Sequence, residues 1–108
     1  MTALLAVSMS MILALTAPDP SVQRKAFSSC LYDFVQTSAQ KKITPEQFDT
    51  QIGAACATEE QSFRRSVVAS DVSRGISRKT SEQGVADEIS DYIQEAKERF
   101  RSTMAAGN

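Results

Sequence analysis

Cys30 and Cys56 are the two cysteines of a 108-residue chain that contains no histidine. Thiols can pair as a disulfide, bind a soft metal or act as nucleophiles. Without histidine there is no Ser-His or Cys-His dyad, no imidazole base and no His-containing zinc site. The wide spacing is not the C-x-x-C of a redox pair, and two cysteines without a neighbouring ligand cluster make a poor metal set. The spacing does suit a hairpin. Each cysteine lies thirteen residues from Ile43, so in an antiparallel pair of helices turning there Cys30 faces Cys56, Leu31 faces Ala55 and Phe34 faces Ile52. Two thiols at matched height on facing helices can meet the geometry of a disulfide. In an oxidising compartment they are expected to be bridged, and in a cytoplasmic chain they would be two buried thiols.

The remaining candidate groups are charged. Arg74, Arg78 and Lys79 form a basic connection able to hold an anionic ligand or a lipid surface, or to neutralise the end of the preceding helix. No aromatic residue is interleaved there as a stacking platform for bases. With 12 Lys+Arg against 13 Asp+Glu, the chain also lacks the basic excess of a nucleic-acid binder. Asp87, Glu88, Asp91, Glu95 and Glu98 have the spacing of a solvated helix face, without the loop of a calcium site. Glu59 stands out because it interrupts an apolar seam between Cys56 and Phe63; the readings are a pair with Arg24, Glu59-Glu60 straddling the edge of the core, or a functional carboxylate. Asp71, between Val68 and Val72, is a weaker instance of the same pattern. No G-x-S-x-G or P-loop motif occurs, and no metal or cofactor site is expected.

Helices must position these groups. Asp19-Pro20 is an N-cap followed by Pro at the first helical position. Val22, Ala26, Phe27, Cys30, Leu31, Phe34 and Val35 then mark an apolar stripe on a helix over about 20–40. Thr44-Pro45-Glu46-Gln47 is a capping box that opens a second helix over about 45–73, ended by Gly75. Thr80-Ser81-Glu82-Gln83 repeats the pattern and opens a third over about 81–102, with Val85, Ile89, Tyr92, Ile93, Ala96, Phe100 and Met104 inward. The fold expected is all-α: a disulfide-stapled, up-down-up three-helix bundle over residues 18–101, with a flexible tail at 102–108.

Residues 1–17, MTALLAVSMSMILALTA, differ in kind from the rest. They hold no charge and four of the five leucines. The length and composition fit the apolar region of a secretory signal peptide ending near Ala17. No Lys or Arg precedes the run, and Pro18 would follow the cut, so an uncleaved anchor and a folded helix are the alternatives. In the main reading membrane contact is expected only through this leader, and only if it is not cleaved.

Taken together, the leader, Cys30, the stretch Cys56-Ala57-x-Glu59-Glu60-x-x-Phe63-Arg64 and Asp91-Tyr92 resemble a group of small exported alphaproteobacterial helical proteins with two cysteines. The resemblance implies export and a helical fold but no activity. The expected function is therefore that of a small exported, periplasmic or extracellular, non-enzymatic protein acting through contacts with a protein of the cell envelope. Anion binding at 74–79 is the second reading, and an enzyme using carboxylates alone the third.

Overall fold

The computed structural model describes residues 19–107, so the leader expected at 1–17 lies outside the described residues. Four helices follow one another: α1 (Pro20–Lys41), α2 (Pro45–Ala55), α3 (Ala57–Ser73) and α4 (Arg78–Ala106). None of them is long and apolar enough to cross a membrane.

The first two helix starts form as their cap residues dictate. The Asp19 carboxylate accepts the Ser21 backbone N–H at 3.0 Å, with Pro20 behind it. Thr44 and Gln47 make the reciprocal capping box, at 3.1 Å and 2.9 Å. At the end of α3 the Gly75 N–H donates to Val72 O and the Ile76 N–H to Asp71 O, while Gly75 sits at φ 88°. That is a Schellman ending with glycine at the left-handed position. α1 closes the same way, except that Lys42 takes the left-handed conformation (φ 53°) while it and Ile43 donate to Ala39 O and Ser38 O.

The expectation of three helices needs correction. The segment foreseen as one helix over 45–73 is two, because Cys56 leaves the helical region (φ −121°, ψ 32°). No proline or turn motif marks the break in the sequence. It falls at the residue whose sulfur is tied to α1, just after Gly53-Ala54-Ala55, where side chains offer little packing to hold a straight course. α4 starts at Arg78, earlier than expected, because Ser77 rather than Thr80 caps it; the Ser77 hydroxyl oxygen accepts the Thr80 N–H at 3.2 Å. It also runs on to Ala106 through the segment foreseen as a flexible tail. Met104 packs against the core there, and Ala105-Ala106 favour the helix.

The up-down-up sense survives with a divided middle arm. α1 and α4 run parallel, since Arg24, Phe27 and Tyr32 of α1 meet Glu88, Tyr92 and Arg99 of α4 in the same order. α2 and α3 return between them. Four phenylalanines, Phe27, Phe48, Phe63 and Phe100, are fully buried and supply volume that a chain poor in leucine otherwise lacks. Phe27 stacks with Phe63 at 6.1 Å and Phe48 with Phe100 at 4.3 Å, one pair in each half of the middle arm. Phe34 lies against Phe48 (5.1 Å), one turn nearer the α1–α2 loop than the Ile52 expected opposite it. Val22, assigned to the core stripe, is exposed instead.

Candidate functional site

Cys30 and Cys56 are joined, with an S–S distance of 2.07 Å and Cα atoms 6.0 Å apart, so the hairpin register holds at this level. Cys56 is buried in the core at the α2–α3 break, and Cys30 packs against the same cluster. The bridge therefore ties α1 to the corner of the middle arm.

Glu59 stands beside it. A Glu59 carboxylate oxygen and both sulfurs lie within 4.8 Å of one another. Three potential ligand atoms are thus gathered where the sequence suggested that the cysteines had no neighbouring cluster. Bonded to each other, the sulfurs are not thiolates, so the group is a carboxylate beside a disulfide rather than a ligand set. Arg24 does not pair with Glu59. Its Nε donates to Glu88 of α4 at 2.9 Å, and its guanidinium lies 5.2 Å from the Phe63 ring centroid. The hydrogen bond to Glu88 is the main reason the Arg24 pKa is raised, and burial opposes it.

Asp71 proves to be a structural group. One carboxylate oxygen accepts from Arg74 at 2.8 Å and the other from the Ser81 hydroxyl at 2.8 Å. It therefore clamps the α3–α4 turn from both sides, with Arg74 as one of its two partners.

The basic connection is pulled apart accordingly. Arg78 and Lys79 belong to the first turn of α4, where the helix dipole disfavours cations. Arg78 lines a groove between α3 and α4 of about 480 Å³, together with Arg64, Arg65, Val68, Ala69 and Glu82. Arg74 and Lys79 do not line it. Arg64 and Arg65 were not foreseen as site residues. Their signal was an arginine doublet four and three residues before the buried Val68, which places both beside that side chain on α3.

Both guanidinium groups of the doublet are loosely held: Arg64 lies 3.8 Å from Glu60, and Arg65 is 3.5 Å from the Gln61 amide oxygen. Arg78 has no ion-pair partner among the described residues. Three arginines and one acidic residue, Glu82, thus line the groove together with Val68 and Ala69. Chemically the groove can hold an anionic group by charge-assisted hydrogen bonds and an apolar group by contact.

On α4, Asp87, Asp91 and Glu98 are exposed on the side away from the core, and Glu95 pairs with Arg99 at 2.8 Å. These carboxylates form a solvated ridge and do not converge on a cavity. No family model matches the chain, no curated protein matches its sequence, and no solved structure matches its fold.

Proposed function

We propose that the chain is an exported, non-enzymatic helical protein that works by contacting another protein in the cell envelope. The observation that carries this reading is the pair Val72 and Ile76, which remain 41% and 40% exposed on either side of the Gly75 turn. Isolated apolar side chains on a surface mean little. These two flank one turn that is held rigid by the Schellman hydrogen bonds and the Asp71 clamp. A rigid apolar tip suits docking, because little ordering is required when a partner arrives.

Export is supported by the apolar run at 1–17 and by a disulfide that a reducing cytoplasm would not maintain. A non-enzymatic role is supported by the consumption of both sulfurs in that bond and the lack of histidine. The chain itself, used as bait in an envelope extract, tests the reading. Capture of a protein at saturable stoichiometry should be lost in the double variant Val72→Ser/Ile76→Ser and retained in Lys79→Glu. A chain recovered from cells with two free thiols and an N-terminus at Met1 would overturn the exported placement.

A further inference from the structure

The groove between α3 and α4 has two features that belong together. It is lined by Arg64, Arg65 and Arg78, whose ionic or hydrogen-bond partners are weak or, for Arg78, missing among the described residues. Its floor is Val68 and Ala69, and Val72 follows Val68 by four residues, so the same face of α3 continues the apolar floor out to the exposed turn. The groove therefore continues along α3 to Val72, apolar on its floor and flanked by arginines at one end, whereas Ile76 lines a separate recess with Val67 and Asp71.

We propose that this groove binds an acidic, apolar-containing segment of a protein partner, with Asp or Glu carboxylates on Arg64, Arg65 and Arg78. Its apolar side chains lie along Val68 and Val72. The inference rests on the protein-contact reading and names the chemistry of the partner. Charge complementarity decides the occupant: three guanidinium forks match carboxylates in bidentate geometry. Glu82, standing in the same groove, repels a doubly charged phosphate more than a carboxylate and can accept a backbone N–H from an incoming peptide. A concave cleft between two helices also fits a chain better than it fits the plane of a bilayer.

Selection of twelve-residue peptides from a random displayed library on the oxidised chain tests the proposal directly, whatever the partner's identity. The expected result is enrichment of Asp or Glu next to Leu, Ile or Val. The affinity of the enriched peptide should fall at least about tenfold in Arg64→Ala/Arg78→Ala and severalfold between low and physiological salt. Lys79→Ala should leave it unchanged, and thermal melts should show both variants folded. Selection without acidic enrichment, equal binding by Arg64→Ala/Arg78→Ala, or displacement of the peptide by inorganic phosphate or phosphatidylglycerol vesicles would overturn it. Envelope capture separates the two readings. If Arg64→Ala/Arg78→Ala still captures a protein that Val72→Ser/Ile76→Ser loses, the contact reading stands and the acidic groove falls.

Discussion

The Ser81 hydroxyl donates to the Asp71 carboxylate at 2.8 Å, joining the first turn of α4 to the last turn of α3. Ser81 is 3% exposed, and the second Asp71 oxygen is held by Arg74. Substituting Ser81 by Ala leaves that carboxylate oxygen short of a donor in a half-buried place. The expected loss is about 1–2 kcal/mol of stability, read as a lower urea midpoint at unchanged slope.

The Cys30–Cys56 bond closes a loop across the α1–α2 hairpin. Cys30→Ser/Cys56→Ser should lose about 3 kcal/mol, mainly because the unfolded chain regains freedom. Chemical denaturation of this variant, compared with the oxidised parent, measures the difference. Equal midpoints would show that the bridge contributes nothing to the fold.

Glu59 places a negative charge within 4.8 Å of both sulfurs. An attacking thiolate and the thiolate it releases are both disfavoured by that charge. Glu59→Gln should therefore speed reduction by dithiothreitol roughly two- to tenfold at constant pH. Alkylation at timed intervals followed by mass spectrometry gives the rate.

Lys42 holds a left-handed backbone conformation at φ 53°, where a side chain costs about 1 kcal/mol relative to glycine. Lys42→Gly should raise the melting temperature, whereas Lys42→Ala should not. A lower melting temperature for the glycine variant would mean that the Lys42 charge near the helix terminus outweighs the strain relieved.

The Asp19 carboxyl is held below its ordinary value of 3.8, first by the Ser21 backbone N–H and then by the Ser21 hydroxyl. Because the folded pKa is the lower one, the folded chain binds fewer protons than the unfolded chain in this range. The contribution of Asp19 is complete above the unfolded value and is lost as pH falls through the folded one. Asp19→Asn keeps a capping oxygen but does not titrate. The gap in melting temperature between parent and variant should therefore narrow as pH drops below about 4. A gap constant from about pH 6 down to about pH 2.5, a range that spans the carboxylate titration, would show that the cap does not depend on charge.

Much of the architecture was legible because it is local. Asp19, Thr44 and Gly75 act within a turn or two of themselves, through their own side chains or their own φ, so sequence spacing suffices to read them. The facing of Cys30 and Cys56 was readable for a related reason, since a tight turn near Ile43 sets the register of the helices on either side. The start of α4 was not legible, because Ser77 and Thr80 both offer acceptable caps. Which one serves depends on whether Ser81 is needed across the turn at Asp71.

The sequence alone determined an all-helical chain with its main apolar stripes, two of its helix starts, its Schellman glycine and the facing of its cysteines. Those follow from periodicity and from hydrogen bonds made within a few residues. Only the tertiary structure decided that the middle arm breaks at Cys56, that Arg24 meets Glu88 rather than Glu59, and that Arg78 joins Arg64 and Arg65 rather than Arg74 and Lys79. Each of these depends on the rotation and tilt of one helix against another. Those are set by how the four buried phenylalanines stack, a property of the packed core that no single stretch of the chain carries.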